Sequence, residues 1–300
     1  MIDYSASQDH YYMRTALNLS LRGQGNTWPN PTVGTIIVKN NHIVSRGWTQ
    51  SEGKPHAEIV ALKKDKTLLK GATLYSTLEP CSHFGKTSPC VDAIIKAKIK
   101  RVVIATKDPN PKVNGKGIKK LKQNNIKVNL GILENEAKKI NLGFFQKITR
   151  NIPSISTKIA ISKNGKITDP KNRWITSEYS RSYGHYLRAK HDAVLTGINT
   201  VLKDNPLLTC RLPGMEKFSP VRIILDTNLK INDNLKIVKT SKKIRTYVFT
   251  SNNFDKLKIK KLQNNGLKLI FIEPFFKQMN IVKVLKSTFS HIFAPCRKTL

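Results

Sequence analysis

Two periodicities alternate along this chain. Between positions 9 and 22, Tyr12, Met13, Ala16, Leu17 and Leu21 recur at helical spacing ahead of Gly23, which predicts a short amphipathic helix. The apolar runs 34–39 and 42–46 are separated only by Asn40-Asn41 and read as a hairpin. Pro55-His56-Ala57-Glu58 opens a helix that continues through Leu62, and Pro89-Cys90 opens another through Ala97. Strands are expected at 72–78, 101–106 and 126–130, with helix over 118–123. A polar stretch at 149–154 reads as a linker, after which the alternation restarts. A strand is expected at 155–162, a helix at 177–190, strands at 191–197, 221–226, 244–250 and 267–272, and a last helix near 279–287. Strands alternating with helices predict two α/β domains, 1–149 and 150–300. There is no internal repeat, and positions 290–300 continue no recognisable pattern.

Composition narrows the class. No run of eighteen apolar residues exists, so no membrane span is expected. The N-terminus is polar and carries acidic residues, unlike a secretory or transit peptide. Four cysteines at 81, 90, 210 and 296 form no disulfide framework, which favours a reduced, cytoplasmic chain. The formal charge of +34 raises nucleic acid as a partner. Lysine dominates the excess, however, and is spread over the whole length in a Lys/Asn/Ile-rich background. That pattern is a composition bias that fills solvated positions, so nucleic acid is not the expected partner; attraction to phosphorylated small molecules is.

The chemistry concentrates between positions 56 and 90. His56 and Glu58 sit at the start of one expected helix and Cys90 at the start of another, with Cys81 just after a strand. The cysteines alone are open to reading as metal ligands, a disulfide, a redox pair or two core thiols. Helix N-termini favour thiolate over thiol. Two thiolates and an imidazole are three of the four ligands of tetrahedral zinc, and water in the fourth position would have its pKa lowered to about 7. Glu58 is tethered close enough to take and return a proton. The ordered set of His-Ala-Glu, Pro-Cys and a second Pro-Cys, each on a suitable element boundary, selects the zinc reading.

This set resembles the cytidine-deaminase-like superfamily, in which the glutamate is the general acid/base and not a ligand. Members acting on nucleic acid close the site with Pro-Cys-x-x-Cys. Here the stretch is "TLEPCSHFGKTSPC", with Pro29-Asn30-Pro31-Thr32-Val33-Gly34 before it and Asp108-Pro109-Asn110-Pro111 after it. These motifs resemble the bacterial bifunctional deaminase/reductase family of riboflavin biosynthesis. The resemblance implies a three-layer α/β/α deaminase domain with Zn2+ on His56, Cys81 and Cys90. It also implies hydrolytic loss of an amino group from a small phosphorylated pyrimidine. Asn30, His83, Lys86, Asp108 and Asn110 are the implied substrate contacts, with Lys86 suited to the phosphate.

Positions 158–211 resemble the same family's reductase domain, a dihydrofolate-reductase-like α/β fold that uses NADPH. By motif position, Arg188 and Arg211 would bind the substrate phosphate, with Asn172 and Leu208 lining its pocket. Lys158, Ala160, Trp174, Thr200, Asp204 and Thr227 would contact NADPH. A pair of arginines suits a phosphate because each guanidinium donates paired hydrogen bonds. No GxGxxG is present, and the Glu-Gly-Gly turn of the family is missing before Leu300. The expectation is therefore an incomplete sheet with an open edge and a weakened or absent NADPH site, the alternative to an active reductase being a deaminase-only protein, in a chain that self-associates as a homo-oligomer.

Overall fold

The computed structural model describes residues 4–84, 88–167, 174–251, 254–273 and 280–292. The chain divides into two compact units, Met1–Ser154 and Ile155–Leu300. In the first, the order is α1 (Tyr4–Ser20), β1 (Gly34–Lys39), β2 (His42–Trp48), α2 (Ala57–Ala61), α3 (Lys66–Leu69), β3 (Thr73–Ser76), α4 (Cys90–Lys96), β4 (Arg101–Ile104), α5 (Lys116–Gln123), β5 (Lys127–Leu130), α6 (Glu134–Ile140) and α7 (Leu142–Arg150). The sheet order is β2-β1-β3-β4-β5. β1 is antiparallel to both neighbours, while β3, β4 and β5 run parallel.

The β1–β2 turn forms at Asn40 and Asn41, with φ of 49° and 61°. Asparagine tolerates this left-handed region better than other side chains, and two successive positive φ values suit the twist of a hairpin. β1 is buried on both faces, as its Gly-Thr-Ile-Ile-Val run requires. One face packs Ile37, Leu74, Val102 and Ile104 against Ile94 of α4 and Leu121 of α5. The other packs Ile36, Tyr75 and Val103 against Tyr12, Met13 and Ala16 of α1 and Ala137 of α6. The result is the expected α/β/α sandwich. The first helix starts at Tyr4, earlier than its apolar stripe, and α6 and α7 were not foreseen.

Two glycines let helices approach the hairpin. A Cβ on Gly34 would lie 1.9 Å from the Ala16 carbonyl oxygen of α1. A Cβ on Gly47 would lie 2.2 Å from the Ala57 carbonyl oxygen of α2. Ser45 Oγ also donates to the Ala61 carbonyl at 2.6 Å, so α2 is clamped to β2 at both ends.

In the second unit the order is α8 (Glu178–Lys190), β6 (Ala193–Gly197), α9 (Ile198–Asp204), β7 (Val221–Leu225), α10 (Lys236–Lys239), β8 (Thr246–Thr250), α11 (Lys256–Asn264), β9 (Leu267–Phe271) and α12 (Ile281–Ile292). Its four strands run parallel in the order β6-β7-β8-β9. The expected strand at 155–162 does not form: those residues join no ladder. Ile155, Ile159 and Ile161 are 62, 69 and 59% exposed, so the apolar spacing that suggested a strand has neither a sheet nor a core to pack on among the described residues. β6 has only β7 as neighbour among the described residues, the edge left where no strand forms over 155–162. At the heart of this unit lies Arg222, fully buried on β7. Its guanidinium donates to the carbonyls of Leu207, Ile237 and Ile244 at 3.2, 3.0 and 3.1 Å. It also donates to the hydroxyls of Thr240 and Thr246. Burial lowers its pKa to about 10.

Candidate active site

Parallel strands open a crevice beyond their carboxyl ends, and the chemistry of the first unit gathers there. His56 is the N-cap of α2, Cys81 follows β3, and Cys90 begins α4. The three donor atoms lie within 4.8 Å of one another. His56 Nδ1 is 3.3 Å from Cys90 Sγ and 3.7 Å from Cys81 Sγ. The first backbone N–H of α4, on Cys90, donates to Cys81 Sγ at 3.3 Å. Zinc bonds of about 2.0–2.3 Å to N and S put neighbouring tetrahedral ligands about 3.6 Å apart, so this donor set fits zinc in both chemistry and spacing.

The electrostatics agree. Hydrogen bonds from the Cys90 thiol and from His56 push the Cys81 thiol down to about 4, while the same bond to Cys81, together with burial, keeps the remaining proton on Cys90. The hydrogen bond to Cys81 raises the pKa of His56 against its burial. Glu58, 4% exposed in the first turn of α2, has its pKa raised chiefly by desolvation. Its Oε1 lies 3.3 Å from Ser76 Oγ, whose own proton is shared with the Leu78 carbonyl at 2.9 Å. A protonated Glu58 can therefore donate to Ser76, so the site accommodates both charge states of the carboxyl.

The remaining expected contacts are differently employed. Asn30 Nδ2 donates to the Gly53 carbonyl at 3.0 Å. Asp108 Oδ1 accepts the Asn110 N–H at 2.8 Å, and Asn110 Oδ1 accepts the Lys112 N–H at 3.0 Å, so both side chains shape their own loop. Asp108 is 8% exposed. Burial raises it to about 6, and the charges of Glu79, Cys81 and Glu58 add to the rise. His83 is exposed. Lys86 lies outside the described residues.

In the second unit, Arg188 and Arg211 meet around a residue that sequence reading passed over. His185 Nδ1 is 3.2 Å from Arg188 Nη1, and its Nε2 is 3.3 Å from Arg211 Nη2. Burial and the two guanidiniums lower the His185 pKa, so it is neutral beside two cations. The spacing His185–Arg188, i to i+3 on one helix, was the signal available in the sequence. Leu208 is 9% exposed and packs in the core with Val201 and Ile224. Trp174 is 56% exposed, with the Arg181 guanidinium 5.0 Å above its ring. Thr200 and Asp204 are exposed on α9, Lys158 is exposed, and Ala160 and Thr227 are half-buried. Asn172 lies outside the described residues.

Residues 6–106 match the profile described as the cytidine and deoxycytidylate deaminase zinc-binding region, and residues 153–288 match the RibD C-terminal domain. The riboflavin biosynthesis protein RibD of Aquifex aeolicus is 46% identical over 280 residues, covering 93% of this chain and 77% of that protein. The chain belongs to the RibD family. RibD of Bacillus amyloliquefaciens is 43% identical, covering 88% of the chain and 71% of its own length. Among solved structures, the Thermotoga maritima diaminohydroxyphosphoribosylaminopyrimidine deaminase/5-amino-6-(5-phosphoribosylamino)uracil reductase superposes with a TM-score of 0.84. It is 35% identical, over 95% of this chain and 79% of its own. RibD of Acinetobacter baumannii gives 0.83 at the same identity, covering 96% of this chain and 78% of its own. The zinc-binding region contains all three donors. No helix among the described residues is long and apolar enough to cross a membrane.

Proposed function

We propose that the first unit hydrolytically deaminates 2,5-diamino-6-(5-phosphoribosylamino)pyrimidin-4(3H)-one to the 5-aminouracil product, and that the second unit reduces the ribosyl group to ribityl with NADPH. The observation that carries the first half is the cluster of His56, Cys81 and Cys90 with the buried Glu58 carboxyl beside it. His56 and the two cysteines hold zinc, which when bound supplies a Lewis acid that makes water acidic near neutral pH. Glu58 moves the protons: its carboxylate accepts one from the attacking water and delivers one to the departing amino nitrogen, which leaves as ammonia. Its raised pKa suits that exchange, because a general acid/base works best with a pKa near the working pH. Asp108, its pKa raised to about 6 by burial and in part by the charges of Cys81 and Glu58, bonds the edge of the pyrimidine. Asn30, His83, Lys86 and Asn110 border the substrate, with Lys86 on its phosphate.

In the second unit Arg188 and Arg211 bind the substrate phosphate, a reading supported by two guanidiniums converging on one neutral imidazole. Asn172 and Leu208 line that pocket. NADPH, when bound, supplies the hydride; Lys158, Ala160, Trp174, Thr200, Asp204 and Thr227 border it. The reaction runs in the cytoplasm in a homo-oligomer, a reading supported by the exposed Ile155, Ile159 and Ile161. Nucleic acid is not the substrate, because the two cysteines lack the Cys-x-x-Cys spacing.

The test is ammonia release from the pyrimidine phosphate by wild type and Glu58→Gln. The variant should lose about 10²–10⁴ in rate while retaining zinc. Equal rates would refute the assignment of Glu58. Saturable NADPH binding by the full chain tests the second unit.

A further inference from the structure

Glu79 lies two residues before Cys81. It is 3% exposed. Its Oε1 accepts the backbone N–H groups of Gly117 and Ile118 at 3.0 and 3.2 Å. Its Oε2 accepts those of Gly115 at 2.9 Å and Asp108 at 3.4 Å. Its own N–H donates to the Thr106 carbonyl at 3.0 Å. A carboxylate offers about four lone-pair sites, and here backbone donors from one loop fill them. Two of these donors belong to the first turn of α5, whose leading N–H groups have no partner within the helix and which carries no acidic residue of its own.

The loop so gathered runs from the end of β4 to the start of α5 and carries Asp108 and Asn110. It also rests directly on the ligand segment: a Cβ on Gly117 would lie 2.3 Å from the Pro80 carbonyl oxygen. One carboxylate thus fastens the Asp108 loop to the strand end from which Cys81 projects. In a chain with 19 acidic residues against 53 basic ones, this acid makes no ion pair among the described residues and accepts from four backbone N–H groups.

We propose that Glu79 is a positioning residue for deamination, setting the Asp108 loop over the metal-ligand cluster so that Asp108 meets the substrate. This rests on the deaminase reading above. In Glu79→Gln one amide face would keep the bonds to Gly117 and Ile118, while the new NH2 would confront the N–H groups of Gly115 and Asp108. The Asp108 arm of the loop would be released first.

The experiment uses the full zinc-loaded chain and measures ammonia release from the pyrimidine phosphate, normalised to bound zinc. Glu79→Gln should raise KM about tenfold, the scale of one lost substrate hydrogen bond, with kcat per zinc within about threefold. In an Asp108→Ala background the same substitution should add nothing to KM, since the two changes act through one contact. Gly117→Ala, whose Cβ would meet the Pro80 carbonyl oxygen at 2.3 Å and Glu79 Oε1 at 3.2 Å, displaces the loop while leaving the carboxylate in the sequence; it should reproduce the KM effect and serves if Glu79→Gln does not fold. An unchanged KM in a zinc-loaded, active Glu79→Gln overturns the proposal, as does a KM effect that persists fully without the Asp108 side chain. Zinc-loaded wild type that releases no ammonia would instead sink the deaminase reading itself.

Discussion

Replacing Arg222 by Met tests how the segment proposed to bind phosphate in the second unit is held. The side chain is fully enclosed, and its bonds end on neutral acceptors: three carbonyls and two threonine hydroxyls. Methionine leaves the carbonyls of Leu207 and Ile237 without that donor, at about 1–3 kcal/mol for each buried group, whereas the Ile244 carbonyl keeps the Thr246 hydroxyl. The hydroxyls suffer less, because Thr240 and Thr246 also donate to the carbonyls of Lys236 and Ile244. Against this, methionine removes a buried cation. Its pKa falls from 12.5 to about 10, a penalty of at most about 3 kcal/mol and less after solvent screening. The balance is a loss of about 2 kcal/mol, carried by the second unit. Because one of the freed carbonyls, Leu207, leads into the segment that ends at Arg211, affinity for inorganic phosphate should fall as well. Urea unfolding followed by far-UV circular dichroism reads the first effect and phosphate titration the second. A variant within about 1 kcal/mol of wild type, with unchanged phosphate affinity, would refute this account of the buried arginine.

Asp108→Asn keeps the acceptor for the Asn110 N–H but removes a carboxylate whose folded pKa, about 6, lies above its ordinary 3.8. The charge costs stability above pH 6 and nothing below about pH 4. The metal-free variant should therefore gain up to about 3 kcal/mol over wild type at pH 8 and lose that advantage at pH 4; an equal advantage at both pH values in thermal unfolding would contradict the assignment. Chelation of zinc should abolish ammonia release and leave NADPH binding intact, because the metal ligands all lie in the first unit. Parallel loss of both on chelation would show that the two units do not function separately.

The His56, Cys81 and Cys90 cluster was legible because each residue falls near an element boundary that apolar periodicity marks independently: the cap of α2, the start of α4 and the loop after β3. The hairpin was legible from Asn40-Asn41, whose residue type states the backbone it needs. Residues 155–162 were not, because strand formation depends on a partner that the spacing of Ile155, Ile159 and Ile161 leaves unspecified. Asn30, Asp108 and Asn110 have side chains equally fitted to bonding a ligand and to bonding their own turns, and residue type alone does not separate these uses. Glu79 left one trace, the pair Gly115 and Gly117 ahead of a helix with no acid in its first turn. That is a long-range complement, visible only once β3 and α5 stand side by side.

The helix that bears Glu58 and is capped by His56 is five residues long. An isolated helix of that length does not persist in water. Its place comes from β2, through the bare backbone of Gly47 and the Ser45 hydroxyl. The metal site therefore has no existence apart from the assembled hairpin, and a chain with β2 unformed has no means of bringing His56 to the two cysteines. Bound zinc per chain, measured on any preparation, becomes a gauge of how much of the first unit has matured.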